Sequence, residues 1–134
     1  MIKVFKDNYN KSEFYSIMGK FFAEPSFKKE LPYLTNRDNT VWHIFLENGE
    51  VKAFSSYEES SNKICFSTDY YLDDIKYLED ILKYKFKELR EVNKPIDTAT
   101  SNSKIKYLFE KYGFLEYKRT ANYSFLIKEE NKNE

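Results

Sequence analysis

Between residues 40 and 58 the chain carries two β-rich runs, TVWHIFLE and VKAFSSYE, with Asn48-Gly49 between them. Asn and Gly adopt positive φ at low cost, and a two-residue type I′ hairpin turn demands positive φ at both central positions. No other stretch restricts the fold as tightly. It sets an antiparallel pair, its turn and its register, and the remaining elements must pack on that pair.

The periodicity on either side supplies those elements. Ile2–Phe5 reads as a short strand, followed by turn residues Asp7, Asn8 and Asn10. Ser12 then caps a helix whose apolar positions are Phe14, Ile17, Met18, Phe21 and Phe22. Pro25 interrupts it, and a short second helix over 26–31 ends before Pro32. Beyond the hairpin, Ser60, Ser61 and Asn62 form a turn, and KICFSTDYY is a central strand. Asp73 or Asp74 caps the longest helix, over 74–92, with Ile75, Leu78, Leu82, Phe86, Leu89 and Val92 on its buried face. Lys83, Lys85, Lys87 and Arg90, interleaved with Glu88 and Glu91, read as its solvated face. Lys94-Pro95 breaks the helix, PIDTAT is a strand, and Asn102-Ser103 opens a last helix to Lys111, which Gly113 terminates. EYKRTANYSFLIKE is a final strand pair or one bent strand. The expected fold class is α/β (α+β): a mixed sheet flanked by helices on both faces, in one domain over 1–128, with a polar, disordered tail over 129–134.

Composition removes several function classes. Basic and acidic residues balance at 22 each, so no global charge marks a nucleic-acid or membrane binder. The lone Cys65 cannot form an internal disulfide and is a poor start for a metal site. The N-terminal MIKVFKDNYNKS has no apolar core of a leader peptide, and no apolar run approaches the roughly 18 residues of a membrane span. The expectation is a cytoplasmic, metal-free protein. The 12 Tyr suggest half-buried groove walls, since the ring packs while the hydroxyl stays wet.

Two segments resemble the GNAT N-acetyltransferase superfamily. Trp42-x-Ile44-x-Leu46-Glu47-Asn48-Gly49-Glu50-Val51-x-Ala53-Phe54 is similar to that family's second and third strands, with Ala53 where Gly is usual. Asn102-x-x-Ile105-x-x-Leu108-Phe109-Glu110-Lys111-Tyr112-Gly113-Phe114 is similar to its N-x-x-A-x-x-L-Y-E-K-x-G-F segment, with the same spacing. The resemblance covers about residues 2–128. It implies a GNAT-like fold, acetyl-CoA or another acyl donor as cofactor, and an acceptor that is an amine. Some phage-encoded members of the family modify nucleic-acid bases, so a base is the other acceptor implied.

Two departures bear on activity. The family's fourth strand leads into Q/R-x-x-G-x-G/A, whose glycines let backbone N–H groups reach a pyrophosphate. The stretch here, from Asp69 through Tyr70, Tyr71, Leu72, Asp73, Asp74 and Ile75 to Lys76, has no glycine. Asp73 and Asp74 stand where phosphates would sit, and like charges at about 4 Å repel by roughly 1–4 kcal/mol. Phosphates would then need another holder, such as Lys76 or Lys104. The second departure is Phe109, at the position of the family's proton-donating Tyr. Tyr112 is a substitute hydroxyl, although three residues along a helix it points elsewhere.

The candidate catalytic residues are thus Asp69, at the end of the third run, His43, the only histidine, and Tyr112. A carboxylate or imidazole there would take the acceptor's proton. His43 has the alternative reading of a packed strand residue. Tyr70, Asp73, Asp74, Lys76, Asn102 and Phe109 are the candidate cofactor-binding set, with Asn102 equally an N-cap. Two functions follow: an acyltransferase-type enzyme with an atypical donor site, or a catalytically inactive GNAT-fold binding module, monomeric or homodimeric, with a Tyr-rich surface.

Overall fold

In a computed structural model, which describes residues 1–129, Asn48 (φ 53°) and Gly49 (φ 79°) make the hairpin turn between β2 (Val41–Glu47) and β3 (Glu50–Glu59). β1 (Ile2–Phe5) pairs antiparallel with the outer side of β2. β4 (Ile64–Tyr71) continues the antiparallel order on the far side of β3. β5 (Ile96–Thr100) joins β4 in parallel, so a crossover helix must separate them. β6 (Leu115–Arg119) and β7 (Ser124–Lys128) close the chain as a second hairpin, giving a seven-stranded sheet of order β1-β2-β3-β4-β5-β7-β6. The expected mixed sheet is therefore present, and the last segment is a strand pair.

α1 (Lys11–Ala23) and α2 (Pro25–Glu30) cover one face. Phe14, Met18 and Phe21 drop into a cluster with Trp42, Ile44 and Phe54. At about 1.5–3 kcal/mol per buried large apolar side chain, this cluster is one of two that hold the sheet. α3 (Lys76–Glu88) and α4 (Ser103–Lys111) cover the opposite face over Phe66, Ile81, Leu82, Ile105, Phe109 and Phe114.

Three boundaries differ from the sequence reading. Asn10, not Ser12, caps α1: its side chain accepts from the Glu13 N–H, and Ser12 falls inside the helix. α3 spans Lys76–Glu88 rather than 74–92. Asp73 adopts φ 69° in a tight turn closed by the Asp74 N–H to the Leu72 carbonyl, so helical geometry starts only afterwards. At the other end Leu89 and Val92 still pack on the core, but in a turn. Apolar spacing reports burial and does not distinguish a last helical turn from a tight loop. Of the tail over 129–134, residues 130–134 lie outside the described residues.

Candidate active site

β4 and β5 pair over only three positions, Ile64↔Ile96, Cys65↔Asp97 and Phe66↔Thr98. Past Thr98, whose hydroxyl donates to the Phe66 carbonyl at 3.0 Å, no ladder joins them. β5 turns to β7, and β4 stays with β3. A bulge sits at the point of divergence: Ser56 pairs with Thr68 and Tyr57 with Phe66, leaving Ser67 as the extra residue. Bulges bend a strand and re-aim its side chains. Here the bend carries Thr68, Asp69 and Tyr70 away from β5.

The resulting gap is open. A cleft of about 90 Å³, room for an acyl-sized group or several waters, runs between Ser67, Thr68 and Asp69 on β4 and Ala99 and Thr100 at the end of β5 with Ser101 just beyond it. The segment after α2 forms its outer wall. Tyr33 of that segment meets Tyr123 of the β6–β7 turn at 5.9 Å between ring centres. Both tyrosines also wall a larger groove of about 570 Å³ with Cys65, Tyr117 and Phe125, so the cleft and the groove share a wall.

Asp69 is bound from below by a polar row that crosses the sheet under α3. His43, Ser55 and Asp69 are direct cross-strand neighbours on β2, β3 and β4 and so share a face. The Ser55 hydroxyl donates to Asp69 Oδ1 at 2.8 Å, and Lys85 Nζ of α3 donates to Ser55 Oγ at 2.6 Å. Lys85 is fully buried, with Nζ 3.5 Å from the centre of the Phe66 ring. Asp69 itself is half-buried. Burial raises its carboxyl, and Lys85 and the Ser55 hydroxyl oppose that rise. Burial likewise pulls Lys85 down to about 8, against the attraction of Asp69 and Glu88.

The sequence candidates separate on this frame. Asp69 lines the cleft. His43 does not: it is wholly buried beneath α3, with Nε2 3.2 Å from Glu88 Oε1 and Nδ1 without a partner among the described residues. Burial lowers it further, so it is a neutral, packed residue, and the general-base reading of His43 is not supported by its position. Tyr112 lies at the far end of β5. Its carbonyl accepts from Lys128, whose strand partner is Ile96, the first residue of β5, while its hydroxyl donates to Glu79 at 2.7 Å. Burial and that bond push Tyr112 up to about 12, a second reason against a proton-donating role.

The cofactor set is equally divided. Tyr70 is no part of a loop; it is 8% exposed and stacks on Phe54 in the α1/α2 core. Phe109, 1% exposed, packs on Phe66 and Phe114 and lines none of these clefts. Asn102 caps α4 through bonds from the Lys104 and Ile105 N–H groups, so its Oδ1 is committed. Asp73, Asp74 and Lys76 are exposed at the start of α3, where Asp74 Oδ1 accepts from the Lys76 N–H. Asp97 lies in the paired part of β5, on the larger groove, and is bound by Lys63 Nζ at 2.9 Å.

Lys85, Ser55 and Glu88 were not legible as a site in the sequence. Its charge groups Lys85 with the solvated face of α3, yet it lies four residues from both Ile81 and Leu89, on the apolar stripe. A lysine in phase with buried leucines was the available signal.

No group of three or more metal-ligating side chains is present among the described residues, and no helix of those residues is long and apolar enough to cross a membrane. Neither a family model nor a curated protein matches the chain by sequence. Solved structures do match its shape. ElaA of Escherichia coli superposes with TM-score 0.69 at 12% identity over 96% of this chain and 100% of its own. An acyl-CoA N-acyltransferase from Pseudomonas aeruginosa gives TM-score 0.72 at 9% identity over 96% and 99%. The N-acetyltransferase PseH of Campylobacter jejuni, in complex with acetyl coenzyme A, gives 0.57 at 17% over 96% and 99%. With near-complete coverage in both directions, the fold of this chain is that of the GNAT N-acetyltransferases, in a highly divergent sequence.

Proposed function

We propose that the chain is an acyltransferase-type enzyme that works in the β4–β5 gap, with Asp69 as the base toward an amine acceptor. The open gap with a carboxylate on its wall carries this reading, because a core-filled gap would leave no place for two substrates to meet. Beyond Phe66, β4 has no strand partner on its β5 side among the described residues. Unpaired backbone groups there suit the extended arm of a donor, as strand edges suit any extended ligand. The acceptor reaches the donor through the Tyr-walled groove. Its nitrogen bonds the acyl carbon and passes a proton to Asp69, and the donor's leaving atom departs with the electron pair of the broken acyl bond.

Among the residues lining the small cleft are Asp69 and Glu30, and no Lys or Arg. This favours an amine, which enters as a cation and sheds one proton to water before its nitrogen attacks, over a nucleic-acid base, whose phosphates would meet like charge. The donor end stays atypical. The glycine-free turn before α3 presents the Asp73 and Asp74 carboxylates to the positive end of the helix, which argues for a donor with few or no phosphates there.

The test pairs acetyl-CoA with a nucleotide-free acetyl thioester against a panel of primary amines. Transfer from the thioester is expected, and Asp69→Asn should slow it by about 10²–10⁴. Equal rates in the wild type and Asp69→Asn, or no transfer from either donor, would overturn the reading. The groove of about 570 Å³ favours the second role, a non-catalytic binding module. Ligand binding in that groove without any transfer would select it.

A further inference from the structure

A lysine side chain with no accessible surface, placed among Phe66, Ile81, Leu82 and Leu89, is a costly feature for a small core. Replacing such a group by an apolar one of similar volume is commonly neutral or stabilising, so packing alone does not account for it. Its one side-chain hydrogen-bond partner among the described residues is informative. Lys85 Nζ donates to Ser55 Oγ at 2.6 Å, which leaves the single Ser55 proton to point at Asp69 Oδ1, 2.8 Å away. A hydroxyl has one proton, so the ammonium on one side dictates that the Ser55 proton goes to the carboxylate on the other. The chain Lys85–Ser55–Asp69 is thereby directional, and it runs from the closed core to the wall of the open gap.

We infer that Lys85 is a positioning residue acting through Ser55: it favours the charged form of the Asp69 carboxylate against its burial and fixes that carboxylate in one orientation at the wall of the gap. The inference builds on the gap being the reaction centre, but the coupling itself is a property of the folded chain and is measurable without any substrate. An opposite charge near a carboxylate favours its ionised form, whereas burial favours the neutral one. Without Lys85, burial would be opposed by Ser55 alone, and Asp69 would take up its proton at higher pH, losing the capacity to accept one from an amine. The other charged or titratable groups facing Lys85 are Tyr57 and Glu58 on β3, Cys65 on β4 and Glu88 on its own helix, while His43 on β2 feels its charge. Glu88 is already engaged by His43 and Tyr57, through bonds of 3.2 and 2.7 Å. That leaves Asp69 as the carboxylate joined to Lys85 through a hydrogen-bonded chain.

The experiment is a carboxyl ¹³C NMR titration of the intact chain, with the Asp69 resonance assigned by its loss in Asp69→Asn. In Lys85→Met the Asp69 midpoint should rise by about one unit or more relative to the wild type. In Ser55→Ala it should rise by less, because the ammonium remains while the bridge is cut. A Lys85→Met protein that is folded, with its Asp69 midpoint unmoved, would overturn the inference. If Lys85→Met fails to fold, Ser55→Ala decides alone: an unmoved midpoint there overturns it, and a raised one supports it. Amine acyl transfer is then read on the same proteins. A raised midpoint with no transfer in the wild type keeps the Lys85–Asp69 coupling and removes the proposed reaction. A raised midpoint with the acid limb of the rate profile moved to higher pH supports both.

Discussion

Asp73 and Asp74 show how two neighbouring residues of one type take different parts. Asp74 accepts from the Lys76 N–H at 2.9 Å, while Asp73 occupies a left-handed turn at φ 69°. An incoming pyrophosphate would have to displace the first and face the charge of both. A charge-assisted hydrogen bond at ~1.5–3 kcal/mol corresponds to roughly ten- to a hundred-fold in affinity. Calorimetric titration should therefore find no tight CoA binding to the wild type, and tighter binding by about that factor once both are replaced by Asn. Micromolar or better affinity in the unmodified chain would contradict this. Phe109 makes a second residue-scale point. The GNAT segment that this stretch resembles carries a tyrosine there, but this ring is sealed between Phe66 and Phe114. Phe109→Tyr should bury a hydroxyl without a partner and lose about 1–3 kcal/mol in urea unfolding, with no acetyl-CoA turnover gained. Turnover by that single variant would mean that the ring swings into the gap.

At the scale of elements, α3 is tied to the sheet by more than its apolar stripe. Glu88 receives His43 from β2 and the Tyr57 hydroxyl from β3. Burial acts to raise its carboxyl, but those two bonds prevail and hold it at about 2, below its ordinary 4.5. As pH falls, the unfolded chain takes this proton before the folded one does, so the folded state loses stability between about pH 4.5 and 2. Glu88→Gln cannot titrate. Its stability at neutral pH should be lower, and its urea midpoint, followed by circular dichroism, should fall less steeply through that window than that of the wild type. Parallel curves for the two proteins would exclude Glu88 from the acid response. The element ends illustrate a different limit. Asn10 and Ser12 are both good caps, and only the course of the preceding turn, with Asp7 and Asn8 at φ 46° and 52°, decides that Asn10 takes the role.

For the molecule as a whole, the architecture was legible because it rests on local chemistry. Asn48-Gly49 allows few other turns, the apolar spacing of α1, α3 and α4 is helical, and a parallel step from β4 to β5 requires a crossover. Asp69 could be named as a candidate because it ends the third run, which the GNAT resemblance sets beside a gap. What no local reading could supply was which side chains meet there. Lys85 shares its segment with Lys83 and Lys87, and its charge alone predicts solvent. Its burial arises because α3 lies over β3 and β4 in one rotation, which turns the 81–85–89 stripe inward over Ser55. His43 and Tyr112, reasonable bases and acids by type, lie against Glu88 and Glu79, away from the gap. Sequence by itself determined the turns, the periodicities and their order, since these depend on residues a few positions apart. Only tertiary structure decided the Lys85–Ser55–Asp69 chain, because its members are 14 and 30 residues apart and meet solely through strand register and helix rotation.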